Sequence, residues 1–538
     1  MTTMQDSRGG PGPARRPKGP RRLRAGIWRP AVAGALAAGV AIAAAELVAG
    51  TVAGAPSLVT SMGSLVISLQ PPGAKDVMVS LFGTNDKLAL NVAVVVVALV
   101  LAGAAGILAA RRRWLGAAAF VAFGVLAAAA ALRDPLASPS LALVNAAIAV
   151  AAGLIALFGL LSLAGGPAGP AGNGTEIDWQ TPEWTRRRFL IASAGTLGGV
   201  IVVGGAGRYL LDGEHADAIV SSTKIPAPLQ SVPPLTADQV LGIAGITPIV
   251  VPNADFYRID TALLVPRVDP ASWTLAVTGM VEHPLTFTYD ELVAMPLYEQ
   301  YVTISCVSNV VGGNLVGNAL WTGVRLKDML QAAGVAPGAT QIVGRSVDGF
   351  TVGFPTAWAM APDREPMIAV GMNREPLPAA HGFPARLIVP GLYGYVSATK
   401  WLSEIQLTTR EAVDGYWVPL GWAKDGPILT QSRIDVPAGG ATGPAGVVAV
   451  GGVAWAPDRG VSAVQLRVDG GPWQTATISR PISNATWVQW TLPWTATPGQ
   501  HSLEVEAIDG TGDVQTSQVT SPAPDGARGH HRISVTVS

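Results

Sequence analysis

The sequence is poor in charge, in cysteine and in histidine. Charged residues make up 13% of the 538 positions, against roughly 25% in soluble globular proteins. The single cysteine, Cys306, excludes an intrachain disulfide framework and any Cys-x-x-Cys zinc or iron–sulfur site. Basic and acidic residues number 36 each, so the charge balance gives no indication of a nucleic-acid partner.

Apolar runs in the first part of the chain account for the low charge. Five runs of about 20 residues are each long enough to cross a hydrocarbon core as a helix. No histidine precedes His215, and a b-type haem between these helices would need axial histidines. The runs therefore indicate a membrane anchor or docking surface. They cover residues 30–50, 91–110, 114–132, 141–163 and 189–210, and the shorter stretch 58–69 is predicted to lie at the interface or outside the membrane.

Arginine clusters orient the predicted helices. The N-terminal tail is basic, Arg111–Arg113 follow the second run and Arg186–Arg188 precede the fifth. The loops 53–88 and 133–140 are poor in lysine and arginine. The positive-inside rule then places the N-terminus in the cytoplasm and the C-terminal half outside the membrane. Glu46, near the end of the first run, is expected at a solvated helix end.

The composition changes after residue 211. Prolines mark a stiff linker, and short apolar or alternating runs bounded by Gly, Pro and Asp follow it, with short helical patterns between them. Helical patterns end near Val436, and the strands and turns that follow are typical of an immunoglobulin-like β-sandwich. The predicted organisation is a basic tail (1–29), an all-α transmembrane region (30–210), a linker (211–240), an α+β domain (241–432) and an all-β sandwich (433–538).

Cys306 follows a strand-like segment and precedes a loop rich in Asn and Gly. Backbone amides in such a loop favour the thiolate, which is the form that binds metals. Local sequence alone still favours a small, buried structural cysteine.

Several segments, in order, resemble the sulfite oxidase family, whose molybdenum is held by a pterin dithiolene and one protein cysteine. The similarity covers about residues 245–538, and its most specific block is 372–401. The matching segments are Phe256-Tyr257-Arg258, Cys306-Val307-Ser308-Asn309, 320–326, 372–378, His381-Gly382-Phe383-Pro384-Ala385-Arg386, Val389-Pro390-Gly391, Lys400-Trp401, 452–455 and 468–471.

The resemblance implies a molybdenum–molybdopterin oxidoreductase that performs two-electron oxo transfer, with Cys306 as the metal ligand. Arg258 and Tyr416 are implied to orient substrate oxygen; the alternatives are an ordinary strand arginine and an aromatic residue beside a turn. Asp348 is implied to accept from the pterin, or else is a plain turn aspartate. The cofactor contacts implied in full, including cationic and amide donors for the pterin phosphate, are Tyr257, Arg258, Asn309, Asp348, His381, Arg386, Ala398, Thr399 and Lys400.

The sequence departs from the family just after Cys-x-x-Asn. Sulfite-oxidising members carry an arginine there, whereas this chain has Val310 and Val311. Loss of a guanidinium removes a bidentate contact to an anion. The pocket beside these valines is therefore expected to be less cationic and more apolar, and a neutral S- or N-oxide is an alternative to sulfite. The expected partners are this small substrate, the membrane, an electron carrier (a haem protein or a quinone) and a second copy bound through the sandwich. A non-catalytic scaffold that keeps the fold is the alternative function.

The segment before the fifth run resembles a twin-arginine export signal, with Ser or Thr, two arginines, any residue and then Phe-Leu. It reads Thr185-Arg186-Arg187-Arg188-Phe189-Leu190. A basic cluster that only sets topology is the alternative. Twin-arginine export moves folded proteins, which suits an enzyme that receives its cofactor in the cytoplasm. No small-residue cleavage site follows, so the segment is predicted to remain as an anchor.

Overall fold

The structure, a computed structural model, describes residues 27–70, 86–163, 182–211 and 220–538. The predicted basic tail, up to residue 26, and His215 lie outside the described residues, as do the side chains of Thr185 and Arg186. The N-terminal part is a bundle of apolar helices. Its helices are α1 (Trp28–Thr51), α2 (Leu58–Ser68), α3 (Asp86–Arg111), α4 (Arg113–Ala131), α5 (Pro139–Leu163) and α6 (Pro182–Leu211).

Five of the helices in the described ranges are long and apolar enough to cross a membrane, and they match the five predicted runs. Helix α2 has only 11 residues. Small residues let the long helices approach closely, as is common in membrane bundles. A Cβ at Gly34 would lie 2.0 Å from the Ala102 carbonyl oxygen, and one at Gly106 would lie 2.1 Å from that of Pro30. These glycines therefore fix the contact between α1 and α3.

Glu46 is not at a solvated helix end, so that expectation is wrong. The residue is 4% exposed, and Ser57 Oγ lies 2.8 and 2.9 Å from its two carboxylate oxygens. The same hydroxyl caps α2 by accepting from the Thr60 N–H. The carboxylate is thus held by hydrogen bonds that compensate its burial. It ties the short helix α2 to the end of α1.

The next part of the chain contains both strands and short helices. In chain order they are β1 (Thr274–Gly279), β2 (Leu285–Thr288), α7 (Tyr289–Ala294), β3 (Tyr298–Ser305), β4 (Val316–Arg325), α8 (Leu326–Ala333), β5 (Gln341–Ser346), β6 (Thr351–Pro355), α9 (Thr356–Met360), β7 (Met367–Met372), β8 (Glu375–Pro376), β9 (Arg386–Ile388), α10 (Gly394–Ser397) and β10 (Leu402–Thr408).

This α+β part folds as two sheets around one apolar core. One sheet has the order β2-β1-β10-β5-β6, with β1 and β10 parallel, and the other has the order β3-β4-β7-β8 with β9 beside β7. Strand β4 is buried along almost its whole length. The core contains Trp273, Trp321 and Ile342 among its members.

The C-terminal part is made of strands alone within the described residues. They are β11 (Gln431–Val436), β12 (Thr442–Gly443), β13 (Gly446–Trp455), β14 (Val461–Val468), β15 (Gln474–Thr475), β16 (Thr477–Ile478), β17 (Val488–Ala496), β18 (Gly499–Asp509) and β19 (His531–Val537). They form two sheets, of order β11-β13-β17-β16 and β12-β19-β18-β14-β15. A second apolar core lies between these sheets.

Trp487 joins the C-terminal sheets to the α+β part. Its side chain is fully buried within the core of the α+β part. Its indole N–H donates to the Ile249 carbonyl at 2.8 Å, and its backbone N–H donates to Thr303 Oγ1 at 2.8 Å. Thr303 lies on β3, the strand that leads directly to Cys306. The C-terminal sheets therefore brace the strand that positions the cysteine.

The helix bundle meets the α+β part at one end. Lys87, at the start of α3, bonds to Asp260 at 2.5 Å and to the Ala262 carbonyl at 2.7 Å. Arg267 donates to the Leu210 carbonyl at the end of α6. These contacts involve the ends of α3 and α6 that lie opposite their arginine clusters.

Candidate cofactor site

A cleft of about 870 Å³, open solvent at its mouth included, lies beside Cys306. We call it the Cys306 cleft. Its walls come from the loop after β3, the segment 257–261, the β5–β6 turn, the segment from α10 to residue 401, and two tryptophans of the segment 417–422. Its lining residues are Tyr257, Ile259, Asp260, Thr261, Cys306, Val307, Ser308, Ser346, Asp348, Phe350, Arg386, Gly394, Tyr395, Ala398, Lys400, Trp401, Trp417 and Trp422.

The backbone of the loop after β3 fixes the position of Cys306. The Cys306 N–H donates to the Leu315 carbonyl at 2.9 Å, and its own carbonyl accepts from the Asn309 N–H at 3.1 Å. Asn309 Oδ1 accepts from the Leu315 N–H at 2.9 Å. The asparagine thus holds the loop closed, and it is not among the residues that line the cleft. Cys306 Sγ lies 2.9 Å from the hydroxyl oxygen of Ser308, a cleft residue to which the sequence motifs assign no role.

Buried cationic and polar groups gather at another side of the cleft. Arg386 and Lys400 line it and are 5% and 6% exposed, while His381 and Thr399 lie buried close by in sequence. Within the described residues, His381 Nδ1, Arg386 Nε and Thr399 Oγ1 have no hydrogen-bond partner although they are buried. Buried polar atoms are nearly always paired in folded proteins. Three buried polar atoms without a partner in one short region therefore indicate a polar ligand.

The electrostatics of this region favour an anion. Burial lowers the pKa of Arg386 to about 10. Burial likewise lowers the pKa of Lys400 to about 8, although Asp260 counteracts the effect. Burial and then the charge of Arg386 lower the pKa of His381 to about 3, so its imidazole is neutral at physiological pH. Burial disfavours the charged forms of these neighbouring cations, and a bound anion would stabilise them.

Asp260 is the residue that sequence reasoning missed. Its side chain is 5% exposed, and its carboxylate pairs with Lys400 at 3.0 Å, Arg258 at 3.1 Å and Lys87 at 2.5 Å. Burial alone would raise its pKa, but the three cations outweigh burial and hold the pKa well below its usual range. The only sequence signal was its place two positions after Arg258.

The structure brings some predicted residues into the cleft and leaves others outside it. Tyr257, Cys306, Asp348, Arg386, Ala398 and Lys400 line the cleft. Asp348 also accepts from the Phe350 N–H at 3.1 Å, as a turn aspartate does. Arg258 is 42% exposed and points to Asp260. The ring of Tyr416 packs on Phe350 and Trp417 and is not part of the lining.

The two valines after Asn309 do not line the cleft. Val310 is 56% exposed, and Val311 lies near Gly529 of the C-terminal part. The expectation that these valines make the pocket apolar is therefore wrong. Aromatic side chains that line the cleft do so instead: Tyr257, Phe350, Tyr395, Trp401, Trp417 and Trp422.

Comparisons with known proteins agree with this geometry. The family model of the oxidoreductase molybdopterin-binding domain matches residues 262–417. Mitochondrial sulfite oxidase of Homo sapiens is 30% identical over 317 residues, which cover 50% of this chain and 58% of that protein. The uncharacterized oxidoreductase YuiH of Bacillus subtilis is 35% identical over 165 residues, which cover 31% of this chain and 79% of that protein. The chain belongs to the sulfite oxidase family of molybdopterin oxidoreductases.

A nitrate reductase [NADH] 1 of Oryza sativa subsp. japonica is another relative of this sulfite oxidase family member. It is 34% identical over 216 residues, which cover 35% of this chain and 23% of the rice protein. The chain thus spans about a quarter of this relative and little more than half of the human enzyme. These relatives differ in the substrates their names state, so family membership leaves the substrate of this chain open.

The cofactor of the family is molybdenum–molybdopterin, and the residues of the Cys306 cleft fit it. A cysteine thiol lies at one wall, where a soft metal ligand is needed. Arg386 and Lys400 lie at another, beside the orphaned donors Arg386 Nε and Thr399 Oγ1. A phosphate group would supply the missing anion and acceptor atoms. Tyr257 and Trp401 add flat aromatic surface to the lining.

Proposed function

We propose that this protein is a membrane-anchored oxidoreductase that transfers an oxo group, with two electrons, to or from a small S- or N-oxide-type substrate at the outer face of the membrane. The cofactor supplies the redox chemistry when it is bound. The protein's own residues hold the cofactor, shape the substrate site and exclude water. The observation that carries the proposal is one cleft with Cys306 at one wall and, at another, the buried cations Arg386 and Lys400 beside buried polar atoms that have no partner.

We assign the residues three roles. Cys306 ligates the metal, and Arg386, Lys400, His381 and Thr399, with the backbone at Ala398, hold the terminal phosphate. The side chains of Tyr257 and Asp348 face the body of the pterin, and Asn309 keeps the Cys306 loop in shape.

Arg258 and Tyr416 remain proposed catalytic residues that orient substrate oxygen. Arg258 is 42% exposed and its guanidinium already pairs with Asp260. Tyr416 lies next to Trp417, which lines the cleft. Both residues must therefore turn towards the cleft when the substrate binds.

A neutral substrate is supported by the aromatic lining. The cleft's cations, Arg386 and Lys400, are buried at the proposed phosphate end, and Asp260 compensates one of them. The lining also carries Phe350, Trp417 and Trp422. Aromatic faces bind neutral sulfoxides or N-oxides without the cost of desolvating an anion.

The bundle contacts support an extracytoplasmic cleft. The α+β part touches the start of α3 and the end of α6, and the arginine clusters lie at the opposite ends of those helices. Under the positive-inside rule the cleft then faces the outside. The Arg187–Phe189 segment at the cytoplasmic end of α6 suits the proposed export signal, which would bring the folded, loaded domain across.

The domain limits and partners belong to the same proposal. We assign the cofactor domain to residues 241–432 and an immunoglobulin-like sandwich to residues 433–538, and we propose that two chains pair through the sandwich. Electrons pass to or from a haem protein or a quinone. The two-sheet arrangement around its own core supports the sandwich.

Metal and pterin analysis of the full chain tests the function. Protein purified in detergent from a host that makes molybdopterin should contain molybdenum and pterin in equal amounts. It should reduce or oxidise members of a panel of sulfoxides, N-oxides and sulfite with an artificial electron carrier. Loaded protein with no turnover of any of these would favour the alternative, a scaffold that kept the fold; the buried charges that such a scaffold does not need argue against it.

A further inference from the structure

We propose that Lys87 of the membrane bundle is a positioning residue of the cofactor site, because it acts through Asp260 on Lys400. The inference rests on the cofactor assignment above and goes beyond it. It makes the helix bundle part of the site that holds the cofactor, in addition to anchoring the chain.

The geometry is a chain of ion pairs from the bundle to the cleft wall. Lys87 Nζ lies 2.5 Å from Asp260 Oδ1, and Lys400 Nζ lies 3.0 Å from Asp260 Oδ2. The carboxylate therefore presents one oxygen to the bundle and the other to the cleft. Lys400 Nζ also donates to the Ala380 carbonyl at 3.0 Å, which leaves its third proton for a ligand.

The charge balance explains why the bundle lysine matters. Asp260 and Lys400 are almost completely buried, with side chains 5% and 7% exposed. Removing Lys87 would make the potential at Lys400 more negative, because the repulsion from a neighbouring cation is lost while the attraction to Asp260 remains. Arg258 would stay on the same carboxylate at 3.1 Å. Without Lys87, Asp260 would hold Lys400 more strongly and would also compete with the cofactor phosphate for it. With Lys87 in place, Asp260 is neutralised from the bundle side and Lys400 can share its charge with the phosphate.

A second contact holds the bundle against another wall of the same cleft. The turn that contains Asp348 lies against the loop between α4 and α5, because a Cβ at Gly349 would lie 3.6 Å from Pro135 Cγ. Asp134 of that loop is close enough to Asp348 for mutual repulsion, which adds to burial in raising the pKa of Asp134. The bundle thus touches the cleft at Asp260 and at the Asp348 turn.

Four single variants of the full chain and one double variant, purified in detergent from a molybdopterin-producing host, test the inference. We expect K87M to lower the molybdenum and pterin content by about fivefold or more, the lower end of typical coupling between sites. Lys87→Arg should restore both, because it keeps the charge. K327M, the same change on helix α8, should retain the wild-type content. K87M should keep the wild-type helical content, so that the bundle still folds.

A double-mutant cycle with the fourth variant, D260N, tests the route through Asp260. If Lys87 acts through that carboxylate, K87M should cause no further loss in a D260N background. Additive losses would overturn the route, and wild-type content in K87M would overturn the inference. Wild-type protein that itself lacks molybdenum would instead refute the cofactor assignment, so the two failures are distinguishable.

Discussion

Arg386 should contribute little to the stability of the cofactor-free protein, or even oppose it. Its guanidinium is buried, and burial lowers its pKa from 12.5 to about 10. At neutral pH a shift of that size costs about 3 kcal/mol, because each pKa unit corresponds to about 1.4 kcal/mol. A cation whose folded pKa is depressed destabilises the fold at every pH below that folded value, so the cost applies in full at pH 7.

Contacts that Arg386 makes offset this cost in part. Nη1 donates to the His381 carbonyl at 3.2 Å, and the guanidinium lies 5.3 Å from the Trp321 ring centroid. A hydrogen bond from a charged group contributes about 1.5–3 kcal/mol. The R386M variant of the cofactor-free protein should therefore unfold with a free energy between equal to wild type and about 2 kcal/mol higher.

Arg433 provides a matched control, because it is a buried arginine whose partners are present. It is 8% exposed and bonds to Asp435 at 2.6 Å and to Thr247 and Gly313 at 2.7 and 2.8 Å. Removing one partner of such a buried pair costs about 3–5 kcal/mol. Denaturant or thermal unfolding in detergent, on protein made without molybdopterin, should separate the two variants. Equal destabilisation by R386M and R433M would refute the claim that the buried charge of Arg386 lacks a compensating anion in the cofactor-free protein.

Three further predictions concern other parts of the molecule. Asp260→Asn should make the loss of stability between about pH 5 and 2 less steep. A carboxylate with a depressed pKa stabilises the fold above its ordinary pKa of 3.8 and loses that contribution as the pH falls. An unchanged pH dependence of acid unfolding would contradict this. Glu46→Ala should lower the melting temperature of the bundle by a few degrees, since it leaves the Ser57 hydroxyl without its acceptor, and molybdenum content should stay at the wild-type level. Trp487→Ala should cost about 3–5 kcal/mol and loosen the α+β part and the C-terminal sheets together, as measured by hydrogen exchange on β3 and β17. Trp473→Ala, at a partly exposed position of the C-terminal part, should cost far less.

The sequence predicted the features that depend on local patterns. Five long apolar runs can only be helices in a membrane, so their bounds are close to those of α1 and α3–α6. Strands and short helices of the later part, such as the helix at 326–333, were also predicted from local patterns. The Cys-x-x-Asn segment and the block up to Lys400 predicted one shared site, because family motifs encode positions that no composition reveals.

The sequence alone does not show which residues far apart in the chain come together in the fold. Asp260 gains its importance from Lys87 and Lys400, which lie 173 and 140 positions away. Glu46 was expected to face solvent because its position in the span is near the interface, yet a cap on the following helix covers it. Val310 and Val311 were expected to shape the cleft, and the loop instead points them away from it.

The most direct test of the central claim is the metal environment of the full chain with and without its cysteine. X-ray absorption at the molybdenum edge, on wild-type protein and on Cys306→Ser matured in the same host, counts the sulfur atoms around the metal. We expect one sulfur fewer in the variant, with pterin content largely kept by Arg386 and Lys400. An identical sulfur shell in both proteins would contradict it, because Cys306 would then not be the ligand.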